Sequence, residues 1–183
     1  SLDPRAGEVA VAGAHETDVL VVGAGPTGLV AALSLAEAGL AVEVIEEEWR
    51  PAGHSYALAL HPRSLALLAE LGLAQDAIAQ GKKLESLTIL AGDESHATLR
   101  CNVLHDRFPF LLVLPQSGLE SLLADKLGKR GIKVRWSHRL GGLEPRGDTV
   151  TATVQRLEKE SSGYAVARTE WTVAESLAFR AGF

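Results

Sequence analysis

A glycine-rich turn between two apolar segments constrains the fold of this chain more than any other feature. The turn has the pattern G-x-G-x-x-G, and its residues are Gly23, Ala24, Gly25, Pro26, Thr27 and Gly28. The apolar run Val19 to Val22 before it is typical of a buried strand, and Leu29 to Ala38 after it predicts an apolar helix. Val42 to Ile45 predicts a second strand, so the segment has the βαβ pattern of a dinucleotide-binding unit.

The three glycines and the acid that follows the second strand suit a nucleotide. Gly23 allows the tight turn, Gly25 allows the backbone to approach a pyrophosphate, and Gly28 allows close packing of helix and sheet. The helix N-terminus offers N–H groups and a partial positive charge to phosphates. Glu46 stands where a carboxylate accepts hydrogen bonds from a ribose. An ordinary strand–turn–helix without a ligand is the weaker alternative, and both FAD and NAD sites use such a turn.

The composition excludes several classes of protein. With 183 residues and 46% hydrophobic content the chain is globular, and its net charge of −5 favours neither nucleic acid nor a membrane surface as a partner. The apolar runs are shorter than a membrane span. Cys101 is the single cysteine, which rules out an internal disulfide and favours a cytoplasmic location. The six histidines are scattered without ligand spacing, so we expect no metal site.

The remaining sequence predicts alternating helices and strands. We expect residues 1–16 to form a flexible leader and residues 17–183 to form a nucleotide-binding domain, with 84–114 beginning a substrate-facing layer. Ser117 and Glu120 have the spacing of a capping box at the start of a helix. The other expected elements are a loop over 49–60, helices from Pro62 and over 74–80, strands at 86–90, 96–101, 110–114 and 132–136, and an antiparallel ribbon of 148–155 with 164–173 around a turn at 158–163.

Three separated features of this sequence coincide in one known family. They are the glycine turn, Glu46, and the Leu-Pro-Gln element that ends at Gln116 and opens a helix. Together with the segment from Leu58 to Leu65 and the ribbon, they make the chain similar to the FAD-dependent aromatic hydroxylases. These are single-component flavoprotein monooxygenases of the para-hydroxybenzoate hydroxylase type. The resemblance covers about Thr17 to Val173.

This resemblance implies a fold, a cofactor and a reaction. The fold would be α/β, with a Rossmann-like FAD-binding domain whose sheet is mostly parallel, plus an antiparallel β-ribbon. Gly23 to Gly28 would hold the FAD pyrophosphate, Glu46 would bind the adenosine ribose, and Gln116 would lie against the flavin side of the cofactor. Arg63 matches an arginine that is common in its helix. NAD(P)H would reduce the flavin, and O₂ would supply the oxygen atom transferred to a small aromatic substrate. Because the cofactor carries that chemistry, no catalytic acid or base is assigned.

The chain departs from the family pattern at three places. Glu47 stands where an arginine usually follows the ribose carboxylate, and Tyr56 stands where a basic residue is common, so we expect weaker FAD binding. After Val173 the family continues into a further strand and a Gly-Asp motif, which suggests a C-terminally truncated domain. An NAD-dependent oxidoreductase and a non-catalytic nucleotide-binding remnant remain as alternatives. The sequence leaves open the aromatic substrate, the choice between NADH and NADPH, and the oligomeric state.

Overall fold

A computed structural model describes residues 15–49, 56–92, 94–103, 107–162 and 168–182. These residues form two compact units. The first contains the described residues up to Ala24, those from Leu35 to Trp49, and those from Ile132 onward; the second contains the remainder. The strands are β1 His15–Thr17, β2 Val19–Val22, β3 Val42–Ile45, β4 Ala57–Leu60, β5 Lys82–Leu84, β6 Ser86–Ala91, β7 Glu94–Arg100, β8 Leu111–Pro115, β9 Val134–Arg135, β10 His138–Arg146, β11 Thr149–Ser162 and β12 Arg168–Ala181. The helices are α1 Pro26–Glu37, α2 Pro62–Glu70, α3 Ala74–Gln80 and α4 Gln116–Lys129.

The first unit is built on a parallel sheet with the strand order β2-β3-β9. Val19 pairs with Val42 and Val44 pairs with Val134, which confirms the βαβ unit predicted from the sequence. β3 is rich in β-branched residues, which favour strands, and Val44 and Ile45 are completely buried. The α/β fold is therefore present, and the glycine turn and α1 connect the parallel strands β2 and β3.

A second sheet in this unit has the strand order β1-β12-β11-β10. β10, β11 and β12 are antiparallel neighbours, and β1 joins β12 in parallel. His15 and Glu16, which we had placed in the leader, thus lie in a strand, while residues 1–14 lie outside the described part. A core joins the two sheets, because Ile45 packs with Ala152, Val154 and Phe179.

The antiparallel ribbon is present, but its register differs from the prediction. We expected a turn over 158–163, yet β11 continues through Ser162, and Val150 pairs with Ala181. The partner of the segment 148–155 is therefore the end of β12 rather than 164–173. Ser161 and Ser162 favour a turn locally, but cross-strand pairing over this length overrides a weak local preference. Gly163 lies outside the described residues.

The second unit combines α2, α3 and α4 with an antiparallel sheet of order β4-β8-β5 and a separate hairpin of β6 and β7. α2 begins at Pro62, whose missing N–H is harmless in the first turn, and the His61 Nδ1 atom accepts a hydrogen bond from the Arg63 N–H at 3.3 Å. The core consists of buried leucines on the inward faces of these elements, namely Leu65, Leu68, Leu112, Leu114, Leu119, Leu123 and Leu127.

Three local predictions in the second unit were wrong. The expected loop over 49–60 contains strand β4, which pairs with β8, while residues 50–55 lie outside the described part. Ser117 does not cap α4, because the helix starts at Gln116 and its N-cap is Pro115, which has no side chain able to cap. Cys101 is buried as expected, but it begins a short 3₁₀ helix instead of ending a strand.

Candidate functional site

The glycine turn leaves β2 with backbone geometry that a side chain would disturb. Gly23 has a φ of +104°, a conformation that residues with a Cβ rarely adopt. The Gly23 N–H donates to the Ile45 carbonyl at 2.8 Å, which ties the turn to the end of β3. Apart from the glycine itself and its two chain neighbours, a Cβ atom added at Gly23 or at Gly25 would meet no atom of the described residues within 4 Å. The backbone of the turn therefore borders open space that a phosphate-bearing group can enter.

Helix α1 starts directly after this turn. Pro26 occupies its first position, and the first intrahelical bond runs from the Leu29 N–H to the Gly25 carbonyl at 3.0 Å. The N–H groups of Thr27 and Gly28 lie in the first turn, where no residue four positions earlier in the helix can accept their hydrogen bonds. Such N–H groups, together with the helix dipole, favour an anion. The donor set fits the pyrophosphate of a dinucleotide.

Glu46 is fixed by the backbone at the end of β3. Its Oε2 atom accepts a hydrogen bond from the Ala24 N–H at 2.6 Å, and its Oε1 atom accepts one from the Glu48 N–H at 3.0 Å. Its own N–H donates to the Arg135 carbonyl at 2.9 Å. The structure thus brings the predicted ribose acid against the glycine turn. Because each carboxylate oxygen has two lone pairs, both oxygens retain capacity to accept from ribose hydroxyls.

Glu47, the departure from the family pattern, faces a cation of the ribbon. The Arg139 Nη1 atom lies 3.8 Å from Glu47 Oε1, and both side chains are largely exposed. Arg139 also donates from Nη2 to Gln155 Oε1 at 2.9 Å, which fixes its guanidinium. The positive charge of Arg139 therefore partly offsets the negative charge of Glu47. The sequence did not indicate this contact, because the two residues lie far apart along the chain.

Gln116 lies at the first position of α4 in the second unit. Its N–H donates to the Tyr56 carbonyl at 2.8 Å, and its side-chain Nε2 donates to Glu120 Oε1 at 2.8 Å. The Tyr56 side chain is 72% exposed. The bond to Glu120 uses the Gln116 amide nitrogen, so the side-chain carbonyl oxygen keeps its capacity to accept hydrogen bonds. The predicted cofactor contact of Gln116 stays a prediction.

Glu120 is a residue whose position the sequence analysis misjudged. It is only 6% exposed and is the one buried charged or polar side chain among the described residues. The sequence spacing predicts a capping box with Ser117, whereas the Glu120 carboxylate accepts a hydrogen bond from the amide of Gln116. The spacing i, i+4 between Gln116 and Glu120 was a signal that could have indicated this pair.

Arg63 lies in the first turn of α2, and its side chain is exposed. No salt bridge involves Arg63 within the described ranges. It is therefore available as a cation for an anionic ligand. Its assignment to the cofactor remains a prediction.

An ion pair joins strands β3 and β9 of the parallel sheet. Arg135 on β9 donates from Nε to Glu43 Oε2 on β3 at 2.9 Å and from Nη2 to Glu43 Oε1 at 3.3 Å. The hydrogen bonds to Glu43 raise the pKa of the Arg135 guanidinium, although partial burial acts against them. The pair is bidentate, which is the strongest form of a contact between arginine and a carboxylate.

Two other kinds of site are not seen in the part of the chain that the structure describes. Those residues contain no group of three or more His, Cys, Asp or Glu side chains arranged to hold a metal ion. No helix within the same ranges combines the length and apolarity needed to cross a bilayer.

Comparison with known proteins reveals similarity to one group. The sequence model of the family described as FAD binding domain matches residues 16–174. The 6-methylpretetramide 4-monooxygenase of Streptomyces rimosus is 34% identical over 140 residues, which cover 75% of this chain and 25% of the relative. The rifampicin monooxygenase of Streptomyces venezuelae is 34% identical over 149 residues, which cover 81% of this chain and 31% of the relative.

The fold is also similar to a solved enzyme structure. The crystal structure of p-nitrophenol 4-monooxygenase from Pseudomonas putida has a TM-score of 0.77 and 26% sequence identity, and the match covers 92% of this chain and 40% of that chain. The chain thus spans well under half the length of each of these three proteins.

Proposed function

The chain belongs to the FAD-binding domain family of the aromatic monooxygenases, and from that premise we propose that it forms the FAD-binding part of an enzyme that hydroxylates an aromatic substrate with NAD(P)H and O₂. The relatives' names support a monooxygenase. The whole reaction remains our proposal, because the chain matches only 25% of the first relative and 31% of the second. We also propose a cytoplasmic location, in keeping with the single, buried thiol of Cys101.

One observation carries the proposal: the Glu46 carboxylate lies 2.6 Å from the Ala24 N–H of the glycine turn. A dinucleotide whose pyrophosphate lies at this turn would therefore have its ribose beside a fixed hydrogen-bond acceptor. We propose that Gly23 to Gly28 contact the pyrophosphate through backbone N–H groups, and that Glu46 accepts from the ribose hydroxyls. Arg63 and Gln116 are proposed as further contacts to the cofactor.

In this proposal the protein binds and orients the cofactor. Bound FAD would supply the redox chemistry and the activation of oxygen. The residues of this chain would fix the adenosine end, because the Glu46 carboxylate is already held by two backbone N–H groups. The buried Glu120 would hold the Gln116 amide in one orientation, so that its carbonyl oxygen is presented to the cofactor.

Titration calorimetry with FAD tests this proposal through two neighbouring carboxylates. We expect Glu46→Gln to weaken FAD binding by about tenfold or more, because it removes a charged acceptor from the ribose. Glu47→Gln removes the same charge one residue later and should leave binding unchanged or slightly tighter, because it takes an anion away from the pyrophosphate.

Circular dichroism of both variants controls for folding. Glu46→Gln leaves one carbonyl oxygen for the two backbone N–H groups of Ala24 and Glu48, so some loss of stability is expected. Equal effects of the two substitutions, or no heat with FAD for the folded wild-type chain, would contradict the proposal. Heat with NADH but none with FAD would instead support an NAD-dependent oxidoreductase.

A further inference from the structure

Strand β2 is an outer strand of the parallel sheet. The strand order is β2-β3-β9, so β3 is paired on both sides, whereas β2 is paired with β3 alone in the part of the chain that the structure describes. Burial differs accordingly: three of the four residues of β3 are buried, but none of the four in β2 is, and Val22 is 53% exposed. Strands of a parallel sheet are normally buried. The edge of β2 that faces away from β3 is therefore an open edge.

The hydrogen bonds of β2 show which of its residues face the open edge. In a parallel pair, the N–H and C=O of one residue point to the same neighbouring strand, and those of the next residue point to the opposite side. The Val19 and Gly23 N–H groups donate to carbonyl groups just before β3 and at its end, at 3.1 and 2.8 Å. Val19, Val21 and Gly23 therefore face β3. Leu20 and Val22 present their N–H and C=O groups at the open edge.

Strand β12 already runs in line with this edge. It lies parallel to β1, where Ala181 pairs with Thr17, and the Gly182 N–H donates to the Asp18 carbonyl at 2.9 Å. Asp18 lies two residues before Leu20, so its carbonyl is the first acceptor on the same side. The rest of the edge, about 13 Å along the four residues of β2, is not paired with any described strand.

The chemistry of the open edge specifies what can bind there. A row of unpaired N–H and C=O groups is a template for an added strand. β2 is apolar throughout, and strands inside a parallel sheet are apolar on both faces, so the added strand should be apolar and β-branched. The chain has a net charge of −5, and three acids, Glu46 to Glu48, follow β3. This charge favours basic residues beside the added strand and disfavours a second copy of the chain.

We propose that the open edge of β2 binds an extended apolar segment of another polypeptide. The segment runs parallel to β2, continues the line of β12 and exchanges backbone hydrogen bonds with Leu20 and Val22. Its affinity comes from these main-chain bonds together with burial of the Val22 side chain, so it depends on backbone geometry more than on one particular sequence. Binding requires no flavin and is therefore independent of the proposed function.

Amide hydrogen exchange of the full 183-residue chain, measured by nuclear magnetic resonance, tests this pairing. In the free chain, we expect the amides of Leu20 and Val22 to exchange about tenfold or more faster than those of Val21 and Gly23, which are bonded to β3. The probe is the blocked peptide acetyl-Lys-Thr-Val-Val-Val-Thr-Lys-amide. At saturation it should slow the exchange of Leu20 and Val22 by about tenfold or more, because their N–H groups become hydrogen-bonded.

A modified peptide isolates the contribution of the backbone. It has the same side chains but carries an N-methyl group on each valine, so it lacks the donors that pair with β2. We expect it to bind about tenfold or more weakly than the unmodified peptide. This comparison uses the unaltered chain and does not depend on the folding of any variant.

Two proline variants assign the effect to one edge of the sheet. Val22→Pro removes an N–H group of the open edge, leaves the bonds to β3 in place and should weaken peptide binding by about tenfold. Val134→Pro is the matched control on β9. The Glu46 N–H donates to the Arg135 carbonyl, so Arg135 faces β3 and Val134 faces the opposite edge of the sheet. This variant should leave peptide binding unchanged, and circular dichroism shows whether each variant is folded.

Three results would overturn the proposal. They are amides of Leu20 and Val22 whose exchange the peptide does not slow, an N-methylated peptide that binds as tightly as the unmodified one, and a chain that is already a dimer in sedimentation and becomes a monomer with Val22→Pro. In the last case the occupant of the edge is a second copy. If the peptide binds as expected while FAD gives no heat, the docking edge stands and the proposed flavin function fails; heat with FAD without peptide binding has the opposite meaning.

Discussion

At the scale of single residues, two of the three glycines of the turn, Gly23 and Gly25, have different physical roles. Gly23 has a φ of +104°, while the φ of Gly25 lies outside the left-handed range. In the part of the chain that the structure describes, neither would place an added Cβ within 4 Å of an atom beyond its own chain neighbours. The requirement at Gly23 is therefore conformational, and the requirement at Gly25 is room for a ligand.

This difference predicts opposite consequences for two identical substitutions. Gly23→Ala should lower the free energy of unfolding by about 1–3 kcal/mol, because alanine is strained at that φ. Gly25→Ala should leave stability unchanged or raise it by up to about 1 kcal/mol, since it restricts the unfolded chain. It should nevertheless weaken FAD binding by about tenfold, because the new methyl group occupies the path of the pyrophosphate. Urea denaturation and calorimetry measure the two effects, and equal losses of stability would refute the distinction.

At the scale of elements, the contact between β3 and β9 depends on a side-chain pair as well as on the short ladder. β9 has only two residues, and the Arg135 guanidinium bonds to Glu43 through two nitrogen atoms. Its Cζ atom also lies 5.6 Å from the centroid of the Phe179 ring on β12. Arg135 thus links three strands of the first unit.

A double-mutant cycle of Glu43→Gln and Arg135→Gln should give a coupling free energy of about 0.5–1 kcal/mol, the size expected for a partly exposed pair.

The pKa of Arg135 is raised in the folded protein. Its contribution to the stability of the fold is therefore complete below the unfolded-state pKa and is lost only as the pH rises through the folded-state value. The coupling should therefore be the same at about pH 7 and about pH 9. A coupling near zero, or one that disappears over this range, would show that the pair is incidental.

At the scale of the whole molecule, electrostatics opposes the binding of an anionic cofactor. The chain has 23 acidic and 18 basic residues and a net charge of −5. Three consecutive acids, Glu46 to Glu48, follow the strand at which the ribose is proposed to bind. Residues 23–28 include no basic side chain, so the turn itself attracts phosphate through its backbone N–H groups and the helix dipole.

Salt should therefore strengthen FAD binding, or at least not weaken it. Raising the sodium chloride concentration from about 20 mM to about 200 mM shortens the screening length from about 20 Å to about 7 Å and reduces repulsion from distant acids. We expect the dissociation constant from calorimetry to fall by up to about threefold. A clear increase would indicate that basic side chains, such as Arg63, dominate the interaction.

The sequence predicted those parts of the fold that local physical signals determine. Gly23, Pro62 and the apolar run Val42 to Ile45 each restrict the backbone or require burial regardless of their partners, and the structure has a turn, a helix start and a strand at these places. The proximity of Glu46 to the turn was also predictable, because parallel strands of a βαβ unit end at the same edge of the sheet.

The features that sequence reasoning missed depend on distant partners. Strand β4 exists because Leu58 pairs with Leu114, and no local pattern in the expected loop signalled this. The length of β12 follows from pairing with β11 rather than from its own composition. The spacing of Glu120 from Ser117 indicates a capping residue, whereas its partner in the structure is the Gln116 amide.

The two hydrogen bonds that Glu46 accepts from Ala24 and Glu48 have a consequence for selectivity among nucleotides. A side chain held at both oxygens loses two hydrogen bonds if it swings away from a bulky, doubly charged substituent on the sugar. A 2′-phosphorylated adenosine, as in NADPH, would meet a restrained like charge at this position. If NADPH is the reductant in the proposed reaction, we expect it to deliver its hydride from a different location.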